Sequence, residues 1–254
     1  MRIQLFTTTL LLLTPVALQA HWPWLEPATA AQPAHAYFGV YPADRMSGVQ
    51  VDAMKAARFW SVDAKGAFQP LTPRTEHNGL SLGTHDGVVM NYPFGVFAAH
   101  GPASLIFFSA KAFRDQMATS SPEVLPLDIL PVKMAAVQPG QASMFRLLRN
   151  GKPLAATTVF AYTPAQGEAH SAALKAAKAA GHDHAHEGKN ERSGEIPANA
   201  LKAVTNEKGE FTLTVPEAGS YQMHVTVREA TPGTHNGKAY ETVILVSTFR
   251  FDVR

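Results

Sequence analysis

The chain contains no cysteine among its 254 residues. This absence excludes disulfide bonds and removes thiolates from the possible metal ligands. A bound metal ion would have to be held by histidine, by carboxylates or by backbone groups. Stability must come from the burial of apolar side chains, and the hydrophobic content of 46% is that of a globular protein.

Charged residues are few, at 17% of the chain, and the formal net charge is only +2. Lys and Arg form no dense basic block, so the sequence predicts no nucleic-acid partner. It also has no Gly-x-Ser-x-Gly elbow, no phosphate-binding loop and no His-Glu-x-x-His run. Because no spacing indicates a catalytic pair of carboxylates either, we expect a protein that is not an enzyme.

The chain has no apolar run long enough to span a bilayer, which takes about 20 residues. The longest such stretch, Leu5 to Leu18, follows the positively charged Arg2 and precedes the small residue Ala20. This pattern is typical of a secretory signal peptide over residues 1–20, removed by cleavage after Ala20. The sequence therefore predicts an exported protein with no membrane span after cleavage.

Alternation of apolar and polar residues dominates the remaining chain and predicts half-buried strands. Clear examples begin at Phe211, at Tyr221 and at Phe249. We therefore expect an all-β fold of two β-sandwich domains, an N-terminal one over 21–122 and a C-terminal one over 123–254.

The same pattern assigns individual residues to turns and faces. It places His224 on the water-facing side of its strand, and it places His170 and His235 in surface loops. Asn236-Gly237 is a good hairpin turn, expected within a loop longer than two residues.

A segment over 163–200, rich in Ala, Lys, Gly, Glu and His, interrupts the second domain. Ala169 to Ala180 predicts a short helix that Gly181 would end. Since this helix has no apolar stripe to bury, the segment is expected to be a long mobile insertion.

Three alternating histidines within this insertion form a candidate metal site. They are His182, His184 and His186, in the run Gly-His-Asp-His-Ala-His-Glu. At least two of the imidazoles share one side, whether the segment is extended or helical. The tract therefore favours capture or buffering of a metal ion over catalysis.

Cleavage after Ala20 would make His21 the first residue and give it a free α-amine beside its imidazole. Two nitrogen donors on one residue close a chelate ring, a bite suited to Cu(II), Ni(II) or Co(II). A third ligand is still needed, and the candidates in the same half are His35, His77, His85 and His100. The sequence does not choose among these four.

Several residue runs resemble the bacterial family named domain of unknown function 4198. In the first half they are His21-Trp22-Pro23-Trp24-Leu25-Glu26-Pro27, Ala36-Tyr37-Phe38-Gly39 and Phe107-Phe108-Ser109-Ala110-Lys111-Ala112. In the second half they begin with Leu125-Pro126-Leu127-Asp128-Ile129-Leu130-Pro131. The later runs Gly151-Lys152-Pro153-Leu154, Thr205 to Phe211 and Pro216 to Tyr221 resemble signatures of prealbumin-like modules.

The resemblance implies a periplasmic protein associated with the uptake of nickel or cobalt, with a prealbumin-like (transthyretin-like) second half. The leading hypothesis is therefore a periplasmic metal-binding protein that uses His21, His182, His184 and His186. It would bind Ni or Co, with Cu or Zn as alternatives, and would support uptake by a membrane metal transporter.

Two other classes of function stay open. One is a copper histidine-brace protein with redox activity, built on His21. The other is a carbohydrate-binding or adhesion module, in which Trp22, Trp24 and Trp60 stack on sugar rings.

Overall fold

A computed structural model describes residues 21–98, 102–115, 117–133, 135–179 and 196–254. Strands hold 54% of the residues and helices 10%, which confirms the predicted all-β class. The strand runs predicted from Phe211, Tyr221 and Phe249 all recur in the structure, the last two as parts of longer strands. The elements in chain order are β1 (Trp22–Glu26), β2 (Ala34–Val40), β3 (Asp44–Arg45), α1 (Val49–Met54), β4 (Arg58–Val62), β5 (Phe68–Leu71), β6 (Arg74–Glu76), β7 (Gly79–Gly83), β8 (Gly87–Phe97), β9 (Ser104–Phe113), β10 (Leu127–Pro131), β11 (Ala142–Arg149), β12 (Lys152–Pro153), β13 (Thr158–Tyr162), α2 (Pro164–Ala179), β14 (Leu201–Val204), β15 (Glu210–Thr214), β16 (Gly219–His235) and β17 (Lys238–Val253).

The described strands form three sheets. A five-stranded sheet has the order β1-β2-β7-β6, with β3 paired to β2. A four-stranded sheet has the order β10-β11-β12, with β15 paired to β11. An eight-stranded sheet has the order β14-β13-β16-β17-β9-β8-β4-β5.

The eight-stranded sheet contains strands from both sides of the predicted domain boundary at 122. Its centre is a parallel pair, β9 with β17, in register from Thr242 beside Ser104 to Phe251 beside Phe113. The division into two domains stays a prediction. What the structure shows is that residues on the two sides of that division hydrogen-bond within one sheet.

Both faces of the eight-stranded sheet are covered. On one face, Met90 and Phe108 join Trp24 and Leu80 of the five-stranded sheet in one buried cluster. On the other face, Val89 and Phe249 join Phe145 and Phe211 of the four-stranded sheet in a second cluster. A strand in the middle of this sheet therefore buries both of its sides, as strands covered on two faces do.

The hairpin between β16 and β17 differs from the sequence expectation. His235 pairs with Lys238, so the turn has only the two residues Asn236 and Gly237, with φ angles of 50° and 75°. Two positive φ angles define the turn whose twist matches the flanking strands. The longer loop expected over 231–238 is wrong, because the strands continue to the turn through a register shift between Ala230 and Gly233.

The predicted helix in the insertion is present and begins earlier, at Pro164. It lies against the body of the protein, since an ideal Cβ on Gly167 would be 2.5 Å from the Tyr41 carbonyl oxygen. Ser171 is 4% exposed, and Ile196 and Ala200 return to the buried cluster beneath the five-stranded sheet. The helical part of the insertion is therefore packed through small residues, a contact that a search for an apolar stripe does not find.

Candidate functional site

His21 lies directly before a strand that is held firmly in place. Trp22, Trp24 and Leu25 of β1 are 3%, 0% and 0% exposed. The strand pairs with β2 on one side, and the Thr248 hydroxyl of β17 donates a hydrogen bond of 3.1 Å to the Pro23 carbonyl oxygen. The partly exposed His21 is therefore joined directly to an anchored strand.

The Trp22 ring at the start of β1 contacts the imidazole of His224, which the sequence pattern placed on the surface. His224 is 2% exposed, and its ring centroid lies 4.3 Å from that of Trp22. The surface prediction is wrong because the face opposite Met223 and Val225 is covered by β1. Alternation assigns faces to a strand, but it does not say that a second layer covers the polar one.

The environment of His224 keeps its ring neutral. Burial lowers the pKa of His224 to about 3. Nε2 lies 2.8 Å from the Thr226 hydroxyl oxygen, while the buried Nδ1 has no hydrogen-bond partner among the described residues. A neutral imidazole with one unshared nitrogen is the form in which histidine binds metal ions.

Three contacts establish how β1 runs across the eight-stranded sheet. Trp22 packs on His224, the Pro23 carbonyl accepts from Thr248, and the Glu26 carboxylate lies 3.1 Å from Arg250. Thr248 pairs with His224, and Arg250 pairs with Gln222. The path from Trp22 to Glu26 thus leads from the level of His224 to that of Gln222.

Two of the four histidines considered as third ligands lie at the other end of β1. His35 pairs with Glu26, five residues from His21, which is a separation of about 16 Å along the strand. The His35 ring is also engaged, because Nδ1 lies 2.8 Å from the Pro33 carbonyl oxygen and Nε2 lies 3.0 Å from Glu76. The His85 carbonyl accepts a hydrogen bond from the amide of Ala28, beyond the end of β1.

Of the remaining metal-site candidates, only His77 lies among the described residues. His77 is exposed in the turn between β6 and β7. His100, His182, His184 and His186 lie outside the described residues, so they stay sequence predictions. Within the described ranges, no group of three or more His, Asp or Glu side chains is arranged to hold a metal ion.

The tryptophans at the start of β1 are core residues. Both indoles join the buried cluster between the five-stranded and eight-stranded sheets, and Trp24 packs against Tyr37 and Tyr41. Their burial leaves no ring face for a sugar. The suggestion that Trp22 and Trp24 form a carbohydrate-stacking platform is therefore wrong, whereas Trp60 is only partly buried.

Glu26, in the Trp-Leu-Glu-Pro run of the N-terminal segment, has a structural partner on each sheet. Its carboxylate lies 3.5 Å from Arg45 of the five-stranded sheet and 3.1 Å from Arg250 of the eight-stranded sheet. Arg45 also covers the Tyr37 ring at 4.0 Å. These contacts tie the C-terminal end of β1 to both layers and account for the acidic residue without a catalytic role.

A second buried polar group was not predicted from the sequence. Lys111 of β9 forms an ion pair with Asp128 of β10 and donates to the Ile129 carbonyl oxygen at 3.2 Å. Ser121 donates to the other Asp128 oxygen at 2.6 Å. Burial lowers the pKa of Lys111, and the Asp128 charge opposes that change. The two runs that contain Lys111 and Asp128 are thereby joined across two sheets.

The described residues form an all-β protein in which β1, the edge strand of the five-stranded sheet, packs on the eight-stranded sheet and begins beside the buried imidazole of His224. None of its described helices is both long and apolar enough to cross a membrane. Comparison with protein-family models finds no match, and comparison with curated proteins finds none either. The resemblance noted in the sequence therefore stays a prediction.

Proposed function

We propose that the processed chain is a periplasmic transition-metal-binding protein that holds one ion at His21. The observation that carries this proposal is the anchoring of β1, which fixes the residue that cleavage after Ala20 would make N-terminal. A chelating residue on a rigid strand loses little freedom when it binds, so more of the interaction energy appears as affinity.

The chemistry of the donors indicates the class of ion. An α-amine and an imidazole are both nitrogen ligands, and the affinity of such sites rises towards Ni(II) and Cu(II) along the divalent series. A metal ion binds both donors in their deprotonated forms, so binding releases protons and weakens as the pH is lowered. Nickel or cobalt is favoured by the family resemblance, and the role would be capture and delivery to a membrane transporter.

The test requires protein that begins at His21, compared with protein that carries one added pyroglutamate before His21. The added residue turns the α-amine of His21 into an amide and brings no amine of its own, because its nitrogen is part of a lactam, and the imidazole is retained. Both proteins carry alanine in place of His182, His184 and His186, so that this tract does not bind the ion. Calorimetric titrations with Ni²⁺, Co²⁺, Cu²⁺ and Zn²⁺ give the affinities.

We expect one ion per chain, and we expect the added pyroglutamate to weaken binding at least about tenfold, or about 1.4 kcal/mol. The proposal fails if no ion binds more tightly than a Kd of about 10⁻⁴ M. It also fails if the added pyroglutamate leaves the affinity unchanged. A His21→Ala variant with the native first position provides the second control, since it keeps the amine and removes the imidazole.

The copper alternative uses the same nitrogen donors, and its redox role is separate from binding. It is favoured over nickel and cobalt if Cu²⁺ alone binds in these titrations. The carbohydrate alternative loses its main support, because Trp22 and Trp24 are buried.

A further inference from the structure

The unshared nitrogen of His224 has no structural explanation within the core. Its neighbours across the strands are Phe160 and Thr248, and Trp22 covers its ring. An apolar residue would fill such a position without leaving a polar atom unsatisfied. The buried Trp22 Nε1 also lacks a hydrogen-bond partner among the described residues, so two unsatisfied polar atoms belong to rings in contact.

The hydrogen bond to Thr226 orients the ring in a way that suits a ligand. If Nε2 carries the proton and donates to the Thr226 hydroxyl oxygen, Nδ1 keeps its lone pair. Histidines that bind metal ions commonly donate their other ring N–H to a fixed acceptor in this manner, which sets the tautomer. His21 directly precedes Trp22, whose ring lies 4.3 Å from that of His224.

We propose that His224 is the third nitrogen ligand of the ion held by His21, and that Trp22 forms the apolar wall of this site. This inference rests on the proposed function. Two residues then supply three nitrogens, namely the α-amine and the two imidazoles. Such a set suits ions that prefer a planar nitrogen arrangement, so Cu(II) and Ni(II) should bind more tightly than Zn(II).

The first test is spectroscopic and needs no substitution at His224. The protein begins at His21, carries alanine at 182, 184 and 186, and carries His77→Gln so that this exposed residue does not contribute. One equivalent of Cu²⁺ is added, and pulsed paramagnetic resonance counts the coordinated imidazoles. We expect two imidazoles, together with loss of the Trp22 indole N–H signal from the NMR spectrum through paramagnetic broadening.

The second test compares His224→Gln with the matched variant His235→Gln, in which the altered histidine lies in the hairpin far along β16. We expect His224→Gln to reduce the count from two imidazoles to one and to weaken Cu²⁺ or Ni²⁺ binding at least about tenfold. His235→Gln should change neither quantity. Thr226→Val retains the imidazole and removes its orienting partner, and we expect it to weaken binding by a smaller factor.

The outcomes separate this inference from the proposed function. If no ion binds to the unaltered protein, the proposed function itself fails. If an ion binds tightly with a single imidazole, or the indole signal of Trp22 persists, then His21 binds the ion without His224 and this inference fails. The spectra alone distinguish these outcomes, so the distinction holds even if His224→Gln does not fold.

Discussion

Charged residues in this protein differ sharply in how much their ion pairs contribute to the free energy of unfolding. The Lys111 and Asp128 side chains are 3% and 6% exposed, whereas those of the Arg149–Glu229 pair are 42% and 20% exposed. Removing one member of a buried pair leaves the other charge without compensation, at a cost of about 3–5 kcal/mol. A pair at the surface contributes about 0–1 kcal/mol.

We therefore expect Lys111→Met to lower the free energy of unfolding by several kcal/mol, of the order of 3–5. Arg149→Met serves as the control, with a loss below about 1 kcal/mol. Urea denaturation measures both. The double variant Lys111→Met/Asp128→Leu should recover part of the loss, because it also removes the Asp128 carboxylate that the single substitution leaves buried without its partner. Equal effects of the two single substitutions would show that the buried pair has no special role.

At this scale, the sequence indicated the role of some histidines and not of others. The sequence indicates His21 as a candidate ligand because cleavage after Ala20 would give it a free α-amine. His224 was missed because alternation distinguishes the two faces of a strand and says nothing about which layers cover them. The burial of Trp22 at 3% and of His224 at 2% depends on the packing of β1 across β16 and β17, a contact between residues far apart in the chain.

At the scale of elements, α2 shows how a helix without an apolar stripe can still be docked. Gly167 allows the helix backbone to approach the Tyr41 carbonyl, where an ideal Cβ would be 2.5 Å away. In an isolated helix, replacing glycine with alanine is stabilising by about 1 kcal/mol. Here the added methyl group must displace backbone atoms, which favours the opposite sign.

We expect Gly167→Ala to destabilise the protein by about 1–3 kcal/mol, the usual cost of overpacking. The control is Ala172→Gly on the exposed side of α2, which should cost no more than about 1 kcal/mol through helix propensity alone. Thermal unfolding followed by circular dichroism compares the two. A gain in stability for Gly167→Ala would mean that α2 is not held against Tyr41.

Sequence patterns located the elements better than their partners. The period of two marked the runs that became β15, β16 and β17, and the Ala-rich run marked most of α2. The pairing of β9 with β17 joins Ser104 to Thr242 and has no local signal. The two-residue turn at Asn236-Gly237 was underestimated because the Gly, Pro and Thr residues before it read as loop, although tertiary pairing keeps them in the strand.

For the whole molecule, the shared eight-stranded sheet makes a prediction about cooperativity. All three tryptophans, Trp22, Trp24 and Trp60, precede residue 122, so their fluorescence reports the surroundings of first-half residues, which for Trp22 include His224. Far-ultraviolet circular dichroism reports strands from both halves. We expect the two signals to give coincident urea transitions, because unfolding of either half breaks the β9–β17 pairing.

Separate expression of residues 21–122 and 123–254 provides an independent measurement. Each fragment would lack one member of the central strand pair and would expose the apolar side chains that the other half covers. We expect neither fragment to show the dispersed NMR spectrum of a folded protein. Two fragments that fold alone, or two separated transitions in the intact chain, would instead support the division into independent domains.

The position of β17 also affects the order in which the polypeptide can fold during its production. Residues 238–253 lie between β9 on one side and β16 on the other. These two strands therefore each lack one neighbour until residues 238–253 have left the ribosome. An emerging chain with an incomplete sheet lacks the pairing that would make it compact. For the export proposed above, such a delay would keep the polypeptide unfolded while it passes through a translocation channel.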